Sequence, residues 1–369
     1  MKGITPVISI IILLLVTISL AGAAYMYVAV YMGSITSKVI QVGDAFCAAG
    51  EANVILNNAG TSDISITASL MQTNPYQPDA NTRALWHLDE GSGATGFDAT
   101  GNHNGMLSGP FSWVPGRFGS AVDFSGTAGM VTTGAEMAIP YSPVLAINTF
   151  TLEFWIKPES FNPPFARGII LGAAGDGRDS GYRVLTVDDG GSNGFIRLQV
   201  NYVGGPGPGM EPAWFDSGTK FPLDQLTHVA IVFQSGANPK VYVNGNLSSL
   251  DISMNGETLG DINYAGATDM MIGRAQWHFD GVIDEVRFYN GVIDFTTKQP
   301  SWNYVCPLSG STAACTDFSV TKGGGTLGSY FDASLIPRSG VATLKDPCSG
   351  TCDYRITTGS GSRTATVRC

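Results

Sequence analysis

The stretch Thr149-Phe-Thr-Leu-Glu-Phe-Trp-Ile-Lys-Pro158 decides the fold class of this 369-residue chain. The apolar residues Phe150, Leu152, Phe154 and Ile156 occupy every second position of this stretch. This two-residue period is that of a β-strand. Lys240-Val-Tyr-Val243 shows the same pattern directly before Asn244-Gly245, the strongest two-residue hairpin signal. Similar strand candidates recur through the middle of the chain, so the sequence predicts a mainly β protein with a two-sheet jelly roll there.

These strand candidates resemble, in the same order, the laminin G-like group of concanavalin A-like jelly rolls. The resemblance covers nearly all of residues 84–290 and implies a carbohydrate- or protein-binding module, which in some members holds a calcium ion near the sheet edge. The segments that carry it are Trp86-His-Leu-Asp-Glu-Gly-Ser-Gly93, Asp98-Ala-Thr-Gly-Asn102, Leu152-Glu-Phe-Trp-Ile-Lys-Pro158, Tyr242-Val-Asn-Gly245 and Ile283-Asp-Glu-Val-Arg-Phe-Tyr-Asn290.

Charge and cysteine placement predict that residues 81–300 are inserted into a second domain. They hold 22 acidic and 12 basic residues, which account for the formal net charge of −10, and no cysteine lies between positions 48 and 305. Residues 41–80 and 301–369 each have too few strand candidates to bury a core alone, so we expect them to form one small, split β-sandwich. The Asn-Pro and Gln-Pro pairs of Gln72–Ala80 predict a linker before the insert.

The six cysteines predict disulfides, because an even count in an exported chain is typical of a cross-linked domain. Zinc is the alternative, but all four histidines lie in the cysteine-free middle and the cysteine spacings contain no C-x2-C set. Six cysteines allow fifteen pairings, and the sequence does not choose among them. The pairing that we prefer is Cys47–Cys369, Cys306–Cys315 and Cys348–Cys352.

The first 32 residues predict a membrane anchor. No charged side chain lies between Lys2 and Lys38, and this apolar run exceeds the roughly 20 residues that cross a bilayer as a helix. Lys2 favours a cytoplasmic N-terminus with the remainder of the chain exported. We therefore expect a hydrophobic transmembrane helix over residues 4–40 that carries an extracellular, cell-surface protein.

The order Lys2-Gly3-Ile4-Thr5-Pro6 resembles the processing site of archaeal type IV pilins and archaellins, which carry a class III signal peptide. The resemblance implies that a prepilin peptidase removes residues 1–3 by cutting between Gly3 and Ile4. It further implies that the retained helix packs with other pilin-like subunits in a filament, and that the split β-sandwich is Ig-like. The alternative is a plain single-pass anchor with an accidental Lys-Gly pair.

The acidic loops of the middle predict a cation site, because calcium binds carboxylate, amide and carbonyl oxygens. Asp98 and Asn102 lie in one loop that Gly101 turns, and the resemblance brings motifs from the two ends of the module together. The alternative is that Asp98 and Asn102 only cap turns. We expect one structural calcium ion held by Asp89, Asp98, Asn102 and Asp284.

The sequence does not predict a glycosidase. Glycoside hydrolysis generally needs two carboxylates, about 5–5.5 Å apart for retention or about 6.5–9.5 Å for inversion. The E-x-D-x-x-E string of the related glucanases does not occur in this sequence. Asp284 and Glu285 are adjacent, so on a regular strand they point to opposite faces and cannot act as a pair. We therefore expect that the protein is not an enzyme.

Exposed aromatic side chains beside polar loops are the predicted means of ligand binding. Trp214 and Trp277 flank Gly-rich loops, with Asp216 and His278 close by, and these four residues form the predicted ligand site. Asn246-Leu-Ser248 is a glycosylation sequon just after the predicted hairpin turn and is expected to be exposed.

Together these features predict a surface-exposed type IV pilin-like subunit that displays a carbohydrate- or protein-binding module for adhesion. One alternative is a membrane-anchored lectin-like protein that does not polymerise. A second alternative, from another class, is a glycan-processing enzyme. The sequence has no basic patch, which argues against nucleic acid as a partner.

Overall fold

The computed structural model shows a mainly β protein with one long N-terminal helix. The structure describes residues 4–66, 69–125, 134–161, 167–172, 180–205, 212–252, 259–275, 277–297, 299, 301–306, 308–309, 311–324, 327–328 and 330–369.

The chain divides into two compact units. Residues 1–71 and 303–369 form the first, here called the host unit, and residues 72–302 form the second, here called the inserted unit. The inserted unit therefore begins nine residues before the predicted boundary at position 81. The linker prediction for Gln72–Ala80 is wrong, because Gln72 and Tyr76 are buried inside the inserted unit.

Helix α1 spans Ile4–Ser37. Its side chains from Ile10 to Ala29 are exposed, and this segment is long and apolar enough to cross a membrane, as a membrane anchor or a signal sequence would be. The helix ends three residues before the predicted position 40. The reason is that Ile40 is buried as the first residue of a strand, while Lys38 binds the Asp317 carboxylate at 2.5 Å.

The strands follow in chain order, and one 3-10 turn lies at Pro143–Leu145. The first four are β1 (Ile40–Ala48), β2 (Glu51–Asn58), β3 (Ile64–Ser65) and β4 (Ser69–Gln72). The next are β5 (Thr82–Trp86), β6 (Thr95–Gly96), β7 (Gly105–Ser108), β8 (Phe111–Pro115), β9 (Ser120–Phe124), β10 (Glu136–Ile139), β11 (Thr149–Pro158), β12 (Arg167–Gly172), β13 (Tyr182–Asp188), β14 (Asn193–Val200), β15 (Ala213–Pro222), β16 (Thr227–Gln234), β17 (Lys240–Val243), β18 (Asn246–Leu247), β19 (Leu250–Ile252), β20 (Met270–Ile272) and β21 (Gly281–Tyr289). The last are β22 (Trp302–Val305), β23 (Leu308–Ser309), β24 (Thr312–Ala314), β25 (Phe318–Gly323), β26 (Tyr330–Phe331), β27 (Leu335–Ile336), β28 (Val341–Pro347), β29 (Thr351–Thr358) and β30 (Gly361–Arg368).

The host unit is a small β-sandwich built from both of its chain segments. One sheet has the order β1-β2-β28-β26-β22-β4, the other has the order β23-β24-β25-β29-β30, and β3 pairs with β27. Val54 of β2, Leu344 of β28 and Val320 of β25 belong to one buried core. Strands from before and after the insert therefore share one sheet, so each segment needs the other to bury its apolar side chains.

The six cysteines form three disulfides, and all three lie in the host unit. The structure pairs them in the way that we prefer from the sequence, as Cys47–Cys369, Cys306–Cys315 and Cys348–Cys352.

The inserted unit is a concanavalin A-like jelly roll of two facing sheets. The nine-stranded sheet has the order β19-β15-β14-β13-β12-β20-β10-β7-β6, and the eight-stranded sheet has the order β18-β17-β16-β11-β21-β9-β8, with β5 beside β21. Phe150 of β11 packs against Phe288 at 5.0 Å and, across the core, against Tyr182 of the nine-stranded sheet at 5.0 Å. The predicted alternation is confirmed in β11, since Phe150, Leu152 and Phe154 all join this core.

The predicted hairpin at Asn244-Gly245 is also confirmed. Asn244 and Gly245 have φ angles of 49° and 77°, and Val243 pairs with Asn246 across them. Positive φ at both central positions is the requirement of the turn type that matches the twist of a two-residue hairpin.

We predict that the Cys47–Cys369 bond stabilises the host unit more than the Cys348–Cys352 bond does. The two bonds span 322 and 4 residues of sequence, and a cross-link that closes a longer loop removes more entropy from the unfolded chain. The variant with Cys47→Ala and Cys369→Ala should lose about 2–5 kcal/mol of unfolding free energy. The variant with Cys348→Ala and Cys352→Ala should lose less.

The measurement is hydrogen exchange, followed by mass spectrometry, on peptides from residues 341–368 of the full chain in detergent. All six tryptophans lie in the inserted unit, so tryptophan fluorescence reports separately that this unit stays folded. Equal losses of protection in the two variants would contradict the prediction.

Candidate functional site

A polar and aromatic face covers part of the nine-stranded sheet, on the side away from the core. Ile196 and Leu198 of β14 point into the core, so Arg197 between them points outward. On β15 the same alternation turns Trp214 and Asp216 outward on either side of buried Phe215. The register places Arg197 opposite Asp216, so the side chains of this pair meet on one face.

Arg197 organises the predicted residues Trp214 and Asp216. Its Nε and Nη2 atoms each lie 2.6 Å from one carboxylate oxygen of Asp216, and its guanidinium carbon lies 4.2 Å from the centroid of the Trp214 ring. Two parallel hydrogen bonds fix the guanidinium plane, and the ring stacks on that plane. Asp216 therefore positions Arg197, and the Arg197–Trp214 pair is a preformed surface that can contact a planar or polyhydroxylated ligand.

Trp277 lies on the same sheet face. It packs against a small buried cluster of Leu185 and Ala275, as do Val187 and Met271. Leu185 stands directly opposite Arg197 in the register of β13 and β14, which places this apolar cluster beside the Arg197–Trp214 pair.

His278 does not join this exposed face. Its side chain is 4% exposed, and its Nε2 atom lies 3.4 Å from a carboxylate oxygen of Glu136, which also binds Arg274 at 3.0 Å. The hydrogen bond to His278 lowers the pKa of Glu136. The structure therefore does not bring His278 to the exposed face that carries Trp277, because its ring is buried against Glu136.

Sequence reasoning missed Arg197. The residues next to Arg197 in sequence do not distinguish it from other surface cations. Only the register of β14 against β15 brings it to Trp214 and Asp216, which are 17 and 19 positions later in the chain. The one available signal was the alternation of Phe195, Arg197 and Gln199 with apolar neighbours, which predicts an outward row on a strand.

Asp98, a predicted calcium ligand, organises its own loop. Its two carboxylate oxygens accept hydrogen bonds from the backbone N–H groups of Leu85, Thr100, Asn102 and His103 and from the Thr100 hydroxyl. The Asn102 side chain does not bind the Asp98 carboxylate; its Nδ2 atom donates to the Thr100 carbonyl at 3.1 Å. This geometry is that of a capped turn.

Asp89 and Asp284 meet the loop between β8 and β9. Asp89 accepts a hydrogen bond from Ser120 N at 2.7 Å, and Asp284 accepts one from Arg117 N at 2.6 Å. Gly119 has φ +62°, which favours glycine, and a Cβ at this position would lie 2.2 Å from the Asp89 carboxylate, which would have to move. In the part of the chain that the structure describes, no three His, Cys, Asp or Glu side chains are grouped so that they could hold a metal ion. The calcium site stays a prediction.

A β-bulge changes the geometry expected of Asp284 and Glu285. Ile283 and Val286 point into the core, and Glu285 between them has φ +50°, where the register of β21 against β11 shifts. Both carboxylates therefore lie on the outer side of the sheet, so the prediction of opposite faces is wrong. Both are fully buried, and burial raises the pKa of Asp284 to about 8. A substrate has no access to this pair.

A buried charged network lies on the outer side of the eight-stranded sheet. The Glu153 carboxylate binds the Arg287 guanidinium and accepts a hydrogen bond from the Tyr76 hydroxyl. The His228 ring lies 3.6 Å from the same carboxylate. Burial would raise the pKa of Glu153, but Arg287 and His228 together lower it. The network holds the segment around Tyr76 onto the sheet.

Two histidines of this region have pKa values that are shifted in opposite directions. Burial lowers the pKa of His228, whose ring is 1% exposed and packs edge-on against Trp302 at 4.8 Å. His87 donates to Glu285 at 2.7 Å, and this hydrogen bond raises its pKa.

The sequon is exposed at its acceptor residue. Asn246 is exposed, whereas Ser248 is buried and donates to the Ser249 carbonyl. Its glycosylation stays a prediction.

The comparisons with known proteins agree with the fold of the inserted unit. Residues 131–296 match a family of the concanavalin A-like lectin/glucanases superfamily, Laminin_G_3. No curated protein sequence matches the chain.

Several solved structures are similar to this chain at low identity. The binding domain of botulinum neurotoxin DC, solved with rat synaptotagmin II, is 12% identical, with 77% of this chain and 73% of that chain covered and a TM-score of 0.44. The binding domain of Paraclostridial Mosquitocidal Protein 1 is 12% identical, with 75% of each chain covered and a TM-score of 0.42. A heptameric SAP-like pentraxin from Limulus polyphemus is 16% identical, with 48% of this chain and 79% of that chain covered and a TM-score of 0.33.

We predict that Asp98→Ala lowers the stability of the inserted unit by about 1–3 kcal/mol, because buried N–H donors lose their acceptor. Urea unfolding followed by tryptophan fluorescence measures this loss. Asp251→Ala, at an exposed position of β19, is the matched control and should change stability little.

If Asp98 also binds calcium, a chelator should destabilise the wild-type protein and leave the stability of Asp98→Ala unchanged. An unchanged wild-type protein would show that hydrogen bonding is the whole role of Asp98.

We further predict that His228→Gln and His87→Gln change the pH dependence of stability in opposite directions. The pKa of His228 is lowered in the folded state, so the unfolded chain takes up its proton first as the pH falls below about 6.5, and stability is lost. The pKa of His87 is raised, so its contribution is present below about 6.5 and is lost as the pH rises through the folded value.

Unfolding free energies measured between pH 5 and pH 8 test both signs, on the full chain with tryptophan fluorescence. His228→Gln should flatten the loss of stability on acidification. His87→Gln should be most destabilised relative to wild type at the acidic end. Parallel pH profiles of all three proteins would contradict the assignment.

Proposed function

We propose that this chain is a cell-surface, type IV pilin-like subunit whose inserted unit binds a carbohydrate or a protein in adhesion. The observation that carries the proposal is the combination of an exposed apolar helix with a concanavalin A-like jelly roll inserted into a disulfide-bonded host unit. Disulfides are typical of extracellular compartments, which favours an external location for the host unit.

Helix α1 supports the anchoring part of the proposal. Its 34 residues give a length of about 51 Å at 1.5 Å per residue, against a hydrocarbon core of about 30 Å. Tyr25 and Tyr27 follow the first 21 helical residues, at the depth where tyrosine is enriched at a membrane interface. The helix can therefore span a bilayer and extend beyond it, where other pilin-like subunits would cover its apolar side chains.

Processing by a prepilin peptidase between Gly3 and Ile4 is the second part of the proposal. Ile4 is the first residue of the helix, and Gly3 lies outside the described residues. Intact mass and N-terminal sequencing of the protein from membranes and from sheared surface fractions test this step. A start at Ile4 with recovery in sheared filaments supports a filament subunit, whereas Ile4 in membranes alone supports a non-polymerising lectin-like protein. A start near residue 25–35 would contradict both.

The ligand-binding part rests on the Arg197–Trp214 pair and on Trp277 beside it. A stacked aromatic ring with an oriented guanidinium provides both an apolar contact and directed hydrogen-bond donors, and Trp, Tyr and Arg dominate the binding energy of many interfaces. Asp216 keeps the guanidinium in its plane. A glycan-processing enzyme is not favoured, since Asp284 and Glu285 are buried from any substrate.

We predict that Trp214→Ala weakens ligand binding by about tenfold or more, the size expected for an aromatic contact at the centre of a binding surface. The probes are an immobilised array of neutral and sialylated glycans and a whole-cell adhesion assay. Phe97→Ala removes an exposed aromatic ring at the other end of the nine-stranded sheet and serves as the control. Equal adhesion by wild type and Trp214→Ala would exclude this face as the binding site.

A further inference from the structure

We propose that the inserted unit has a second ligand site, separate from the Trp214 face, that binds a short uncharged saccharide. The site is a pocket of about 640 Å³ whose lining includes Asn74, Gln77, Arg287, Tyr289, Gln299 and Ser301. Its volume falls within the range of about 300–1,000 Å³ that is typical of small-molecule sites. It lies at the end of β21, which belongs to the eight-stranded sheet, where residues 74–79 meet Ile293, Gln299 and Ser301.

The walls of this pocket are fixed before any ligand arrives. Tyr76 holds the first wall, since its side chain is 1% exposed and bonded to Glu153. Asp79 closes the same wall by accepting hydrogen bonds from the backbone N–H groups of Asn81 and Thr82. Gln299 holds the opposite wall by donating to the Asp294 carbonyl at 2.8 Å. Preformed walls lower the entropic cost of binding.

Arg287 contributes to the pocket without offering a free charge. Its guanidinium stacks on the Tyr76 ring at 4.1 Å and lies 5.3 Å from the Tyr289 ring, while Glu153 neutralises it. Among the described lining residues, the other charged side chain is Asp79, which is exposed. Arg287 and Asp79 cancel within the described lining, and Glu153 behind Arg287 leaves the pocket and its support with a net charge of −1, which disfavours an anionic ligand.

The remaining polar groups match hydroxyl chemistry. The side chains of Asn74, Gln77 and Gln299 carry both hydrogen-bond donors and acceptors, and Ser301 adds a hydroxyl. The Tyr289 ring is half-buried, and its hydroxyl is held by Asn81 Nδ2 at 3.1 Å. A fixed aromatic face among amide groups suits a ligand with an apolar ring face and a rim of hydroxyls, which is a neutral sugar.

The test uses the full chain in a polyoxyethylene detergent, so that no sugar headgroup competes. Saturation-transfer NMR and calorimetry are run with cellobiose, maltose, lactose and N,N′-diacetylchitobiose as probes, and with digalacturonate as the anionic comparison. We expect at least one neutral disaccharide to bind in preference to digalacturonate. Tyr289→Ala and Gln77→Ala should each raise its Kd, by about tenfold for the aromatic ring, whereas Trp214→Ala should leave it unchanged.

The variants keep this proposal separate from the function proposed for the Trp214 face. Gln77 is exposed, so Gln77→Ala tests the pocket even if Tyr289→Ala unfolds, which tryptophan fluorescence would reveal. Binding that is lost in Trp214→Ala and kept in Gln77→Ala would overturn the pocket while supporting the face. No saturable binding of any neutral probe, or tighter binding of digalacturonate, would also overturn it.

Discussion

The buried ion pair between Glu153 and Arg287 is the interaction on which the inserted unit depends. A carboxylate without solvent contact is tolerated only when it is paired and hydrogen-bonded, and here Arg287 and Tyr76 supply those partners. Removing one partner of such a pair typically costs about 3–5 kcal/mol, because the other charge is left buried alone. The pair also holds the Tyr76 segment over the eight-stranded sheet. Because this segment covers it, the outer side of β11 is buried as well as the side that faces the core. There the Trp155 indole N–H donates a hydrogen bond to the Gln72 side chain at 2.6 Å.

The host unit folds from two chain segments that are separated by the 231 residues of the inserted unit. Its strands from before and after the insert share one sheet, in which β2 pairs with β28 on one side and with β1 on the other. Every pairing between strands of the two segments is therefore a non-local contact. The Cys47–Cys369 bond adds a covalent link between β1, before the insert, and the residue that follows β30, after it. Insertion at a surface connection leaves such a core intact.

The two candidate ligand regions of the inserted unit differ in how their chemistry is prepared. On the Trp214 face, a salt bridge between neighbouring strands orients one guanidinium against one ring. In the pocket beside Tyr289, the guanidinium is already neutralised, and amide and hydroxyl groups provide the polarity. Both arrangements use arginine as a flat, oriented group rather than as a free charge, because its planar fork can pair with a carboxylate while its face stacks on an aromatic ring.

The sequence by itself determined what depends on neighbours along the chain. Helix α1 follows from an uninterrupted apolar run, β11 from its two-residue alternation, and the Asn244-Gly245 turn from residues that accept positive φ. Tertiary structure alone decided the features that depend on register and cover. The bulge at Glu285 turned two adjacent carboxylates to one side, the buried Tyr76 made an apparent linker part of a core, and the pairing of β14 with β15 brought Arg197 to Trp214. The physical reason is that strand period and turn preference are local steric properties, whereas register and burial are set by contacts between segments far apart in sequence.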